Sequence, residues 1–567
     1  MTTVSAIRLG ATSAIGRLAR SLITPRILLP LLAAAIMAYF ALLPLLYLLG
    51  AAFFEGNALT LGHFVDAFTA PHVVQLLKNS LVFAFGSAAL AVVLGTTMAY
   101  LAVRTDVPLK GLVYASSLVP LVLPGILYTT AWVFLGSPRI GIYSRMLGGA
   151  IDIYSMPGMI LVDGLMLSPL VFLLMFAALK SMDPSLEESA YVSGARTSTV
   201  LRRIIAPLMR PAFFGAVLVM VVRGLESFEV PAILGMPSGN YVLTSQIYRV
   251  LSQFPADYGQ AAAYAVSLLV ITSAFIFWES RSARNAKAFQ TITGKGYRPR
   301  TNRLGRLRWP VAGVVVVYFL IAVAMPLFIL VFESTQPFFA VPSSRSLGMA
   351  SLGNYAAIFS NETTLTALTN SLVLGLTAAT AVMLVMAIVS WIIVRTNFPG
   401  RWVLDNLSFV PLTIPGIVLG VALLFVYLRV PLPIYGTLLI LFVAYFTRYM
   451  PYGMRFAAAS MRQVAGELEE AAAASGVGWW PSFRRITLPL IMPGIVGGWL
   501  YVFILSIREL SQSILLYSPG HEVLSVVIWE QLANGQLTQL SALGVVMVAI
   551  SAVAVVGARR LGGKIGV

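Results

Sequence analysis

Charged residues make up only 10% of this 567-residue sequence, against 59% apolar residues, so the few polar clusters are where chemistry is to be sought. One cluster is a pair of segments. Glu187-Glu188-Ser189-Ala190-Tyr191-Val192-Ser193-Gly194 is followed, nine residues on, by Ile204-Ile205-Ala206-Pro207. Glu469-Glu470-Ala471-Ala472-Ala473-Ala474-Ser475-Gly476 is followed, again nine residues on, by Ile486-Thr487-Leu488-Pro489. Glu and Ala favour helix, and glycine takes the left-handed conformation at a helix end. The spacing predicts a short helix, a break and a second helix ended by a proline before the next apolar run.

A second cluster lies inside apolar runs: Arg223, Glu226, Ser227 and Glu229 in one, Arg508, Glu509, Ser511 and Gln512 in another. Charges at membrane depth are costly and mark pathways or paired interfaces. Two roles fit. The groups could line a route and pass a cation on by weak, multi-site contacts. Alternatively, Arg223–Glu226 and a neighbour of Glu509 could be ion pairs that fix a helix interface. Asp163 is another such residue, or sits near the outer interface.

Other chemistry is excluded or unsupported. There is no cysteine, so no disulfide or thiolate site, and the three histidines (His63, His72, His521) are scattered in loops where they are expected to be solvated. No Ser/His/Asp set or distinctive carboxylate pair is present. The phosphate loop Gly-x-x-x-x-Gly-Lys-Ser/Thr is also missing, since Gly294-Lys295-Gly296 lacks the preceding glycine and the following hydroxyl. No enzyme activity, metal site or cofactor is expected of this chain.

The elements that position these clusters follow from hydropathy. A mean of +0.88 and recurrent apolar runs of about 20 residues describe a polytopic helical membrane protein. Twelve spans are predicted, near 27–50, 75–103, 111–135, 158–179, 211–233 and 259–280, then 309–332, 364–394, 402–428, 434–459, 493–517 and 538–558. Arg8, Arg17, Arg20 and Arg26 precede the first run, which has no small-residue cleavage site and is read as a retained helix. An even count puts both termini on one side.

Basic residues choose that side. Arg104, Lys110, Lys180, Arg196, Arg202, Arg203, Arg395, Arg484, Arg485 and the connector from Arg281 to Arg308 all fall on the terminal side. The other side carries mainly Arg139, Arg145, Arg249 and Arg345 beside Glu55, Asp66, Glu333, Glu362 and Glu522. Both termini and the connector are therefore expected in the cytoplasm. The net charge of +17 is topology, and a nucleic-acid role is not expected.

The chain also repeats itself. Pro120-Leu-Val-Leu-Pro124-Gly125 returns as Pro411-Leu-Thr-Ile-Pro415-Gly416, 291 residues later, and Asn79-Ser80 and Arg104-Thr105 return as Asn370-Ser371 and Arg395-Thr396. Leu186-Glu-Glu188 returns as Leu468-Glu-Glu470, an offset of 282, so about nine extra residues lie in the first copy, near 136–157. Six spans per copy make this a parallel repeat about an axis along the membrane normal, with the pathway between the copies. The expected division is 1–280 for the first half, 281–308 for a basic cytoplasmic linker and 309–567 for the second half.

The paired segments, 187–207 and 469–489, resemble the EAA loop of binding-protein-dependent ABC importer permeases: Glu-Ala-Ala, three residues, Gly, nine residues, Ile-x-Leu-Pro. The second copy matches throughout; the first has Ser189 and Ala206 in place of an alanine and the leucine. The resemblance implies a type I importer permease fold, with the loops docking as coupling helices in a cytoplasmic ABC ATPase, in two copies. Glu188, Ala190, Gly194, Ile204 and Pro207, with Glu470, Ala471, Ala472, Gly476, Ile486, Leu488 and Pro489, become the coupling positions. ATP and Mg would be on that partner, and substrate would arrive from a periplasmic binding protein at a bacterial inner membrane. Trp479-Trp480-Pro481, inside the second loop, fits contact with the ATPase or with headgroups. Length and the fused six-plus-six layout look most like ferric-iron permeases, with thiamine, phosphonate and polyamine carriers as alternatives. A secondary transporter of six-plus-six design remains a competing class, but it leaves the two loops unexplained. Glu226, Ser227, Glu229, Arg508, Glu509 and Ser511 are the expected pathway-lining residues.

Overall fold

The computed structural model describes residues 25–286 and 301–560, apart from 147, 149–151 and 184. Arg8, Arg17, Arg20 and connector residues 287–300 lie outside the described residues. Among those described, nine helices are long and apolar enough to cross a bilayer. Two further helix pairs, Lys110–Leu121 with Gly125–Gly136 and Arg401–Thr413 with Gly416–Arg429, turn by 112° and 107° at a short break, giving eleven spans if each pair is one. The twelfth expected span is the 26-residue helix Leu438–Gln463. At 1.5 Å per residue it is about 39 Å long. Arg448, Arg455 and Arg462 leave it less apolar than the others.

The bends have a covalent cause. Leu123 and Ile414 precede prolines, which disfavour the α conformation in the residue before them. Ile414 is extended, and Pro124 and Pro415 sit at the N-caps of the second helices. The expected continuous spans near 111–135 and 402–428 are thus broken in the middle.

Two more spans are displaced from expectation. The helices run over Thr197–Glu226 and Trp479–Ile507, rather than 211–233 and 493–517. Both start in the polar loops and stop where the charged cluster begins. Pro207 and Pro489 do not end an element as expected. Each follows a wide turn with five-residue spacing, Leu201–Ile205 and Phe483–Thr487, through which the helix continues. Such a turn accommodates a ring and a missing N–H that a regular helix would not.

Duplication is visible in the packing. Val73–Arg104 packs along Met156–Ser181, and Glu362–Arg395 along Leu438–Gln463. In the first pair Gly95 lies against Val171, where a Cβ would come within 2.6 Å of the valine Cβ. At the equivalent positions of the second pair the sizes are exchanged: Gly453 lies against Met386, 3.1 Å from its Cγ. One small and one large side chain fill each crossing, as close-packed interiors require.

The halves are interlocked as well as adjacent. The first helix, Pro25–Phe53, packs on Gly416–Arg429 of the second half. There the Tyr39 and Tyr427 hydroxyls are 3.1 Å apart. Its counterpart, Gly305–Ser334, crosses to the first half, where Tyr318 meets the Ser168 hydroxyl at 2.7 Å and Tyr128 donates to the Ala322 carbonyl at 3.1 Å.

Candidate functional site

Four helix breaks converge between the halves. The two proline bends supply Pro120, Leu121, Gly125 and Gly416, and the ends of Thr197–Glu226 and Trp479–Ile507 supply the charged groups. Together they enclose a cavity of about 250 Å³ that also receives Asp163 and Arg448. All six expected lining residues, Glu226, Ser227, Glu229, Arg508, Glu509 and Ser511, are on its wall. Irregular backbone at membrane depth is tolerated where it borders a cavity, and these breaks are of that kind.

The same groups also tie the halves together. Glu226 Oε2 is 3.5 Å from Arg223 Nη1 and 3.4 Å from Arg448 Nη2, the latter on the second half. Arg508, which stands at the repeat position of Glu226, reaches across to donate to the Leu121 carbonyl at 2.6 Å. Arg448 similarly donates to the Ile414 carbonyl. Each guanidinium thus satisfies a carbonyl freed by a proline bend.

Glu509 accepts from the Tyr449 hydroxyl at 2.8 Å, and the Ser227 hydroxyl donates to Asp163 Oδ1 at 2.8 Å. The second Asp163 oxygen is buried without a hydrogen-bond partner, and its side chain lines the cavity. Small residues let the acids approach the bends: a Cβ on Gly125 would lie 3.3 Å from the Glu229 carboxyl carbon. At the equivalent place a Cβ on Gly416 would lie 3.2 Å from Ser511 Cβ. Repeat position alone did not single out Arg448, Tyr449 or Tyr452. Arg448 did carry a signal, a charge in the middle of a long helix flanked by apolar residues.

The polar segments lie at the opposite ends of the two broken-off spans. Ser185–Val192 is a short helix, Gly194 has φ +81°, and the chain re-enters helix at Thr197. Glu467–Ala474 is followed by Gly476 at φ +77° and helix from Trp479. No atom lies within 4 Å of a Cβ built on either glycine, so backbone conformation rather than crowding calls for glycine. Gly194, Glu470, Ala471, Gly476 and Pro489 are exposed. Glu188, Ala190, Ile204, Pro207, Ile486 and Leu488 are half-buried, and Ala472 is buried.

Each segment is anchored by the acid one residue ahead of its expected coupling glutamate. Glu187 is 3.0 Å from Arg104, both side chains being buried, and Arg104 also donates to the Leu179 carbonyl at 3.0 Å. Glu469 is 3.5 Å from Arg395, which donates to the Met461 carbonyl at 3.0 Å, the repeat equivalent of Leu179. Glu469 further accepts from Trp391 Nε1 at 2.9 Å and Thr487 Oγ1 at 2.8 Å. Burial raises the Glu187 carboxyl above its ordinary value, and the Arg104 guanidinium pulls it part of the way back. Arg104, Arg395, Glu187 and Glu469 recur at the repeat offsets, a signal available in the sequence that pointed past Glu188 and Glu470 to their neighbours.

Aromatic residues distinguish the second segment. Trp479 stacks within a group of Trp391, Trp480 and Phe483, while Trp480 stays half exposed. The first segment is braced differently. Asn302, within the connector, accepts from the Tyr191 hydroxyl at 3.0 Å and its N–H donates to the Arg104 carbonyl at 2.8 Å. Of the histidines, His63 is not a solvated loop residue: it lies in the helix Gly62–Thr69 with its ring against Gly259, where a missing side chain leaves room.

Comparison with known proteins agrees with this architecture. Residues 91–284 and 383–565 each match the family described as binding-protein-dependent transport system inner membrane component. A putative ferric transport system permease protein of Haemophilus influenzae is 26% identical over 86% of this chain and 77% of its own length. A ferric transport system permease protein of Actinobacillus pleuropneumoniae is 25% identical over 90% of this chain and 74% of its own length. A putative 2-aminoethylphosphonate transport system permease protein of Salmonella paratyphi A is 28% identical over 29% of this chain and 62% of its own length. Among solved structures, a chain of a bacterial ABC transporter that imports alginate aligns with a TM-score of 0.40 and 22% identity, over 47% of this chain and 99% of that one.

Proposed function

We infer the function from one premise: the chain belongs to the family of binding-protein-dependent transport system inner membrane components. It is a multi-pass permease subunit of an ABC importer, with two permease halves fused in one polypeptide. On that premise we propose that it carries ferric iron inward, between its halves. Relatives named as ferric permeases, similar over most of this chain, support that cargo over the phosphonate, whose named relative is similar over 29% of the chain. Thiamine and polyamines are the remaining alternatives.

The single observation that supports the route is the convergence of the repeat-equivalent acids and arginines on one cavity where four helices break. A carboxyl-bearing cavity attracts a cation. Its arginines keep the wall from becoming a deep trap, since binding must be weak enough for release.

Energy comes, on this reading, from a separate ABC ATPase that docks on the two polar segments from the cytoplasm, one copy on each, with ATP and Mg on the ATPase. Val192 is 88% exposed and Trp480 51% exposed on those segments, apolar surface of the kind that partners cover. Basic residues cluster on the same side, which supports cytoplasmic termini. A periplasmic binding protein delivers the substrate on the other side.

Identification of the ligand carried by the cognate binding protein tests the cargo. Ferric iron detected by metal analysis is the expected result; an organic ligand found by mass spectrometry overturns it.

A further inference from the structure

A second cavity, of about 390 Å³, lies between the halves away from the coupling segments. Its wall includes Tyr258, the first residue of a helix whose other end leads into the basic connector, so the cavity is at the far face of the membrane. Its other characteristic groups are Tyr248, Tyr435, Tyr517, Trp529 and Glu530. Tyr248 and Trp529 come from the short helices Leu243–Ser252 and Leu524–Ala533, one from each half. Tyr258 and Tyr435 are 47% and 50% exposed, which keeps the cup open to water. The Tyr517 hydroxyl donates to Glu530 Oε1 at 2.9 Å.

This cup is in series with the central cavity. Phe228 is fully buried and separates them. Its ring is 6.0 Å from Trp529 and 5.6 Å from Tyr248, while its chain neighbours Ser227 and Glu229 line the central cavity. One aromatic layer divides the two spaces.

We propose that the cup is a transient binding station for ferric iron on its way to the central cavity, with phenolate oxygens and the Glu530 carboxylate as ligands. The proposal rests on the ferric reading above. Hard cations prefer oxygen donors, and the cup offers four phenols and a carboxylate without a histidine or an arginine on its wall. The central cavity offers acids too, but Glu226 is already shared by two arginines and Glu509 is engaged by Tyr449. In the coordination step each participating phenol loses its proton to water, and its oxygen displaces a water or carrier ligand from the iron as the Fe–O bond forms. Iron stays ferric, and no electron is transferred. Glu530, hydrogen-bonded to Tyr517, exchanges that proton donor for the metal.

The test uses the full chain, purified in detergent and titrated with ferric nitrilotriacetate. A visible phenolate-to-iron charge-transfer band is expected, saturating with iron. Tyr517→Phe and Glu530→Gln should each weaken iron binding by about tenfold or more. Tyr114→Phe, on a partly exposed tyrosine outside the cup, should leave the band unchanged. These are near-isosteric changes, and unchanged thermal melting of each variant verifies the fold.

Absence of a band, or a band unaffected by the cup variants, overturns the station. So does calorimetric binding of tetramethylammonium without iron binding, which would make the cup an aromatic cage for organic cations. Iron uptake by the reconstituted importer is measured separately. Uptake without the band overturns the cup alone, whereas a binding protein loaded with another ligand overturns the ferric reading beneath it.

Discussion

Replacing Glu187 with glutamine leaves Arg104 buried without an opposite charge. The two side chains are 0% and 2% exposed and 3.0 Å apart, so water offers the orphaned guanidinium little relief. Breaking such a pair from one side costs about 3–5 kcal/mol. The equivalent pair, Arg395–Glu469, is 3.5 Å apart with side chains 16% and 17% exposed. A glutamine at 469 can still accept from Trp391 or Thr487, so Glu469→Gln should cost about 1–2 kcal/mol. The first segment should therefore open locally at least roughly a hundredfold more often in its variant, and the second only about tenfold.

The sequence has no cysteine, so single reporters can be introduced on a clean background. Val200→Cys and Ser482→Cys occupy repeat-equivalent positions that are 1% and 7% exposed. Thiol labelling then reads local opening beside each segment. The double change Arg104→Met with Glu187→Leu removes both charges and should return labelling close to the parent rate. Equal acceleration in the two halves, or no recovery in the double variant, would refute the inference that buried charge pairs hold the segments.

Gly194→Val and Gly476→Val force a β-branched residue to φ +81° and +77°, about 1–2 kcal/mol of strain each. The pair should abolish ATPase binding in a pull-down while the membrane helices stay folded by circular dichroism. Glu226→Gln removes the charge that Arg223 and Arg448 share across the halves. Uptake into proteoliposomes should fall about tenfold, equivalent to ~1.4 kcal/mol on the transport barrier.

Much of this arrangement was legible in the residues. Apolar run length sufficed for the spans, and the Pro120/Pro411 and Glu188/Glu470 matches sufficed for the repeat, because both are local patterns. The convergence of Glu226, Ser227, Glu229, Arg508, Glu509 and Ser511 was foreseen for the same reason: charges at membrane depth announce themselves. Helix ends were not. An apolar run continues past Glu226 and past Arg508, so hydropathy extends each span through a break made by backbone geometry. The wide turns before Pro207 and Pro489 leave no mark in composition either. Partner choice within the cluster was equally hidden, since Arg508 meets a carbonyl freed by the Pro120–Pro124 bend. Anchoring by Glu187 and Glu469 was written in the repeat but masked by their neighbours, which fit the loop pattern.

The most direct test of the account is ATP hydrolysis by a reconstituted complex of this chain, its partner ATPase and its binding protein in proteoliposomes. The account predicts low hydrolysis without the loaded binding protein, stimulation when it is added outside, and loss of that stimulation in the Gly194→Val and Gly476→Val double variant. Hydrolysis indifferent to the binding protein, or substrate uptake driven by an ion gradient without the ATPase, would contradict it.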